Sequence, residues 1–419
     1  MPRLIVVLVI GLHLLAIPNI SHAQETAYEQ AMLAEMSRQG IAGVAVVVVD
    51  GDEVIYLAGL GENADGASID PTVAYDIGRL ADPVVSLLTF AQAERNLLAP
   101  DNNARNLLGL APETLNGVTI ARLMNHTAGL GADESRPLEG ISTDALTDIT
   151  LNSFPGERFS YCTRCYSLIV TVLEAAGGTP IATQLEQTIF YPLMMDDTRA
   201  EDGAILSTAG DMAKLMSAHL QDGRWRDVQL VRPESIRALH RATILTGRDS
   251  REFAGHGWFV LTDAGLDPPD PMLNYVATAL DIGSYRAQMT LIPALGRGVL
   301  LLTDQDTNGL HELTAITLEA FTGWTPPQAT TTPNISFLVG DYRPRDSAAS
   351  ERLHVVADGE SLQVSVGDAI VSAQFTDTRA VAFQMNGQRA SLFFPETGSA
   401  REAILTVDGI TAVYQRVFD

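Results

Sequence analysis

The chain has 419 residues, 46% apolar, 19% charged and 6% aromatic, with ordinary counts of 34 Gly and 20 Pro. This excludes a disordered, collagenous or coiled-coil protein, and it leaves enough chain for one large domain plus a small one, or for two to three domains. The formal charge of −24 repels phosphate backbones and anionic lipid, so a nucleic-acid partner is not expected.

Residues 1–23 read as an export signal. Arg3 supplies the positive start, residues 4–17 the apolar run, and Ser21-His22-Ala23 a small-x-small cleavage site. The run is short for a membrane span, which needs roughly 20 residues. An uncleaved anchor is the alternative. The segment carries one Arg and no acid, so its removal takes the charge from −24 to −25. The expected location is the bacterial periplasm or the secreted fraction, a compartment that permits disulfides. No later stretch is long and apolar enough to span a membrane.

After the signal, residues 25–39 have helical spacing. Residues 43–50 form an apolar β-branched run, Asp50-Gly51-Asp52-Glu53 a turn, and residues 54–60 a second strand. Residues 83–96 are helical and apolar on most sides, which predicts burial all round. Several helical stretches follow over 101–250. Strand-like runs return at 258–262, 285–292 and 298–303, before a helix over 310–321. Strands open and close this α/β domain, and helices are inserted between them. Residues 325–336 have linker composition. Beyond them, six alternating runs separated by turns such as Asp358-Gly359 and Asn386-Gly387 predict a small all-β domain, sandwich or barrel. The expected organisation is a signal over 1–23, a large domain over 24–324, a linker over 325–336 and a β domain over 337–419.

The chain has a single lysine, Lys214, so lysine chemistry must use it or do without. The two cysteines form Cys162-Thr163-Arg164-Cys165. Three readings stand: a small structural disulfide, two reduced core thiols, or a redox or nucleophilic pair activated at a helix start. Histidines 126, 219, 240, 256, 311 and 354 are scattered singly, which predicts no metal site. No Gly-x-Ser-x-Gly elbow and no phosphate loop occur, and no cofactor is implied.

Several strings resemble the serine β-lactamase and penicillin-binding-protein superfamily. They are Leu123-Met124-Asn125-His126-Thr127-Ala128-Gly129-Leu130, Pro155-Gly156-Glu157-Arg158-Phe159-Ser160-Tyr161, Tyr191-Pro192-Leu193-Met194, Leu206-Ser207-Thr208-Ala209-Gly210-Asp211 and Gly255-His256-Gly257-Trp258. They occur in the family's order across about residues 25–325. The resemblance implies an antiparallel sheet flanked by helices, a helical subdomain, and a lipocalin-like β add-on opening at Gly340-Asp341-Tyr342. It also implies structural roles for His126 and His256.

In that family a Ser-x-x-Lys motif starts the central helix, where the serine attacks a carbonyl and the lysine helps take its proton. The matching string here is Tyr75-Asp76-Ile77-Gly78-Arg79-Leu80-Ala81-Asp82. It puts Arg79 at the serine and Asp82 at the lysine. Guanidinium is a poor nucleophile, and Asp82 inverts the sign of the charge. Two readings stand: a pocket rebuilt around Arg79 and Asp82 at i,i+3, or a helix that starts a turn later, with Asp82-Pro83 as N-cap and N1 and both side chains solvated. The family's Tyr-x-Asn is Tyr161-Cys162-Thr163. Its sheet Lys/His-x-Gly falls near Thr278, with no His or Lys between Phe259 and Pro293. Ser86, with Thr89 at the lysine offset, is expected to be a buried serine bonding backward along its helix.

Nucleophile, lysine and sheet cation are therefore all replaced. The expected function is a pseudoenzyme of this family, serving as a binding or regulatory module. Its ligand would be a carboxylate-bearing small molecule or peptidoglycan-type peptide, held through Arg79 and Tyr161. The alternatives are a hydrolase working through Ser284, Cys162 or Tyr161, and a thiol–disulfide protein.

Overall fold

A computed structural model describes residues 21–417 except 64, 112, 132–135, 137, 148, 248–250, 263–274, 281–284, 308, 326–337, 346–350, 360, 376–379, 395–401 and 408–409. Residues 1–20 of the expected signal, almost all of the linker, and Ser284 lie outside the described residues.

The first helix is His22–Gln39, which starts three residues before the expected position. The reason is a capping box: Gln24 N–H donates to Ser21 Oγ (3.3 Å), and Ser21 N–H donates to Gln24 Oε1 (2.9 Å).

The large domain is built on an eight-stranded antiparallel sheet. Its order is Glu53–Gly61, Gly43–Asp50, Arg297–Thr307, Tyr285–Ile292, Tyr275–Leu280, Phe259–Thr262, Glu252–Ala254 and Ile244–Leu245. The start of the domain thus pairs with its end, Val47 opposite Leu300. Gly43–Asp50 is apolar throughout because both of its faces are covered. Val44, Val46 and Val48 join Tyr28, Met32, Leu310 and Phe321 of the two terminal helices, His22–Gln39 and Leu310–Thr322. Ala45, Val47 and Val49 face the opposite core, which the helical subdomain closes. Three strands of this sheet went unseen in the sequence: Ile244–Leu245, Glu252–Ala254 and Tyr275–Leu280. The first two are too short for alternation to register.

The central helix is Ala81–Glu94, fed directly by a 3₁₀ turn over Gly78–Leu80. It is buried from Ala81 through Gln92, as its composition predicts. The N-cap reading of Asp82 is corrected. The cap is Leu80, and Asp82 is the second helical residue, 5% exposed. The preceding turn is already closed by Leu80 N–H donating to the Ile77 carbonyl (3.0 Å), so the helix needs no side-chain cap there, and the Asp82 carboxylate turns inward.

Beyond the linker, eight antiparallel strands from Gly340–Pro344 to Ile410–Arg416 pair in sequence order and close first on last into a barrel. Its interior holds Tyr342, Leu353, Val364, Leu392 and Phe394. The sequence signal marked six of these strands. It missed Gly340–Pro344 and Ala369–Phe375, the latter because the larger residue points outward, with Ile370 65% exposed while the small Ala373 is buried.

Among the described residues, Arg345 and Ser391 of the barrel reach the large domain. Arg345 pairs with Glu402 within the barrel (3.0 Å) and reaches Glu157 of the large domain (3.6 Å). Ser391 Oγ–H donates to the Gly247 carbonyl (3.5 Å). No single helix among the described residues is long and apolar enough to cross a membrane.

Candidate functional site

The start of the central helix opens onto a small pocket lined by Arg79, Asp82, His126, Tyr161, Gly257, Trp258 and Phe259. Four separate segments contribute. Arg79 is in the 3₁₀ turn and Asp82 in the first helical turn. His126 sits in a tight turn with φ 57°, beyond the short helix Ile120–Met124. Tyr161 precedes the helix Thr163–Gly177, whose N-cap is Cys162. The space enclosed is about 10 Å³ for a water centre, about the size of one water site.

Asp82 anchors the pocket. The Tyr161 hydroxyl donates to its Oδ2 across 3.1 Å, and His126 Nε2 lies 3.9 Å from the same oxygen. Cys162 N–H donates to His126 Nδ1 (3.3 Å). In the neutral ring the proton is therefore on Nε2, the nitrogen facing Asp82. The His126 and Tyr161 rings lie 4.4 Å apart between centroids. The solvated reading of Asp82 is thus overturned, while Arg79 is half-buried and also lines the pocket.

Gly257 closes the wall against the central helix at φ +84°. A Cβ there would lie 2.6 Å from Ser86 Oγ and 2.9 Å from the Asp82 carbonyl oxygen. Only glycine allows both this backbone conformation and this approach.

Ser86 is fully buried, and its hydroxyl is committed elsewhere. Tyr166 O–H donates to the Met124 carbonyl (3.0 Å), which leaves Ser86 O–H to donate to Tyr166 Oη (2.9 Å). Burial, reinforced by the Asp82 carboxylate, holds the Tyr166 phenol pKa well above its ordinary value, against the opposing effect of the Ser86 hydrogen bond. Ser86 thus bonds sideways to Tyr166; it is Thr89 that bonds backward, to the Val85 carbonyl (2.8 Å).

The Cys162 and Cys165 sulfurs are joined, with Cα atoms 5.3 Å apart, so neither is a thiol. Thr163 begins the following helix and is 9% exposed. Thr278 pairs across the sheet with Phe259 and donates to or accepts from Thr290 Oγ1 (3.3 Å). Neither threonine is among the pocket's lining residues. Lys214 is remote in role: it pairs with Asp211 (2.8 Å) and donates to the Met194 carbonyl. Among the described residues no group of three or more His, Cys, Asp and Glu is placed to hold a metal.

The structure thus brings Arg79, Asp82 and Tyr161 together and leaves Thr163 and Thr278 outside. It adds His126, Gly257 and Trp258 to the wall. His126 has its expected place in a turn and also faces the pocket. No local signal in the sequence marks the approach of His126 to Asp82, 44 positions away in the chain.

The family model described as Beta-lactamase matches residues 27–322. The chain belongs to the beta-lactamase family. Within it, the chain is 23% identical over 269 residues to Penicillin-binding protein 4 of Amycolatopsis lactamdurans, covering 52% of this chain and 71% of that protein. It is 24% identical over 169 residues to Penicillin-binding protein 4* of Bacillus subtilis, covering 37% of each. An octameric penicillin-binding protein homologue from Pyrococcus abyssi has a similar fold, with a TM-score of 0.61, 16% identity, and coverage of 93% of this chain and 99% of that one. Tyr161, which the resemblance aligns with the family's Tyr-x-Asn, donates to Asp82.

Proposed function

We propose that this chain is a non-acylating member of the beta-lactamase family, exported by residues 1–23, that binds a ligand at its cleft instead of cleaving one. One observation carries the reading. A buried Asp82 accepts the Tyr161 hydroxyl, and the resemblance aligns Arg79 and Asp82 with the two positions of Ser-x-x-Lys. Acyl transfer needs an attacking oxygen or sulfur and a group to take its proton. Arg79 offers no such atom. The Tyr161 proton faces the Asp82 carboxylate, where the resemblance leads one to expect a lysine. Ser86 is sealed behind Gly257, and both sulfurs are oxidised. The pocket lining includes the Arg79 guanidinium, a group suited to charge-assisted hydrogen bonds with a carboxylate-bearing small molecule or peptide.

The test is to incubate the mature chain with a fluorescent penicillin and a fluorophosphonate, and to follow a chromogenic β-lactam. The expected result is no stoichiometric label and no turnover. Labelling abolished by one Ser→Ala change, with Ser284 and Ser86 the first to replace, would restore the hydrolase reading.

A further inference from the structure

A second, roomier cleft lies beside the short strand Tyr75–Asp76 that leads toward the 3₁₀ turn. Its walls are the connection that leaves Glu53–Gly61, that short strand, and the later part of Arg297–Thr307. Its volume is about 480 Å³, against about 10 Å³ at the helix start. Small-molecule sites run from about 300 to 1,000 Å³. The two spaces share no lining residue.

Asp70, Asp76 and Asp304 line the cleft, and no Lys, Arg or His does. Two of the carboxylates are fixed from within the chain. Asp70 Oδ1 accepts the Thr72 hydroxyl (2.7 Å) and the Thr72 N–H (2.9 Å), bonds that hold its carboxyl below the ordinary range. Asp76 Oδ1 accepts the Gly78 N–H (2.9 Å). Asp304 is exposed and has no hydrogen-bond or ion-pair partner among the described residues. Burial, then the fields of Asp304 and Asp70, hold the Tyr75 phenol above its ordinary value, so the ring in the wall is neutral. A neutral phenol face attracts a cation. Ile69 and Val73 add apolar surface beside it.

The three carboxylates do not gather around one point. Among the described residues no group of three His, Cys, Asp or Glu is placed to hold a metal, so a compact metal ion cannot meet them together. Spread along one cleft, they match a chain whose ammonium groups are separated by methylenes, and the methylenes have Ile69, Val73 and the Tyr75 ring to lie on. One exposed carboxylate–ammonium pair adds little. The later pairs of the same chain form intramolecularly, at high effective concentration.

We propose that this cleft binds a linear aliphatic polyamine, its ammonium groups distributed over Asp70, Asp76 and Asp304 and its methylene chain laid on the apolar wall. The site is independent of whether the pocket at Arg79 acylates.

The experiment is calorimetric titration of the mature chain with butylamine, putrescine, spermidine and magnesium, at about 0.1 M salt so that distant charges are screened. Spermidine is expected to saturate a single site. Each ammonium added from butylamine through putrescine to spermidine should tighten binding about three- to fivefold. Asp304→Asn, a change at an exposed side chain that leaves the fold intact, should weaken spermidine about three- to fivefold. Asp227→Asn removes the same charge from an exposed residue outside the cleft, and should change it by less than about 1.5-fold. The proposal is overturned if spermidine does not saturate, or if butylamine or magnesium binds as tightly. It is also overturned if the two variants weaken spermidine equally, which would leave only the general attraction of an acidic chain for polycations.

Discussion

Tyr161 and Asp82 meet across 3.1 Å in the interior, with the phenol donating to the carboxylate. By the resemblance, Asp82 stands where the family has a lysine, so the tyrosine's partner here is an anion rather than a cation. Removing the donor should therefore be felt as a buried carboxylate losing a partner. Tyr161→Phe is expected to cost about 1–3 kcal/mol in urea unfolding. The cost should shrink in the Asp82→Asn background, because the two act as one unit. Equal costs in both backgrounds would show that the contact carries no energy.

Gly257 and Ser86 make a second coupled pair. Gly257→Ala places a methyl 2.6 Å from Ser86 Oγ at φ +84°, and should destabilise by about 1–3 kcal/mol through overpacking and backbone strain. Ser86→Ala should recover part of that loss, but not the φ component. A melting series on the four combinations reads the coupling directly.

Three buried histidines set the acid limit. Burial pushes His219 down to about 3. Burial, with His219 adding to it, pushes His240 well below its ordinary value. Burial also lowers His256, against the opposing hydrogen bond with the Ala238 carbonyl. His219 and His240 stack at 5.2 Å, and each packs edge-on to Trp258. In the unfolded chain these rings take up protons below about pH 6.5, while in the folded chain they stay neutral. Their contribution is therefore complete above pH 6.5 and is lost as pH falls toward 3. The slope is at most about 1.4 kcal/mol per pH unit per histidine. Carboxylates titrate in the same window, so the comparison that checks this is wild type against His219→Phe. The variant should lose stability less steeply between pH 6 and about 4.

Arg345 ties the barrel to Glu157, four residues before Tyr161. Its side chain is half exposed at 50%, against 32% for Glu157. Arg345→Ala is therefore expected to change global stability by less than about 1 kcal/mol. Charge reversal differs, because Arg345→Glu would face both Glu157 and Glu402. Hydrogen exchange of the amides over 152–161 should quicken in that variant, and Glu157→Arg should reverse the effect. Unchanged exchange would mean that the barrel does not steady this segment.

The frame of the fold was legible in the sequence, and the reasons are local. Gly43–Asp50 announces itself because a strand covered on both faces is apolar at every position. The central helix does the same through its unbroken burial. The barrel was readable from its turns, apart from Gly340–Pro344 and from Ala369–Phe375, whose inward residues are small. At the site, the register alone put Arg79 and Asp82 where a catalyst would be. It could not tell whether Asp82 faced water, because Asp-Pro at a helix start reads equally well as a cap. The deciding contacts, Tyr161 and His126, lie 79 and 44 positions away in the chain, since 161 − 82 = 79 and 126 − 82 = 44. Likewise, nothing local to Ser86 tells that Tyr166 and Gly257 hold it.

The tightness around Asp82 bears on the protein's history. A lysine reaches farther than an aspartate, and here it would run into a phenol, an imidazole and a space of about one water. On the non-acylating reading proposed above, writing Ser and Lys at 79 and 82 would therefore supply the motif without supplying the room a lysine needs, and the neighbours of residue 82 would have to repack as well.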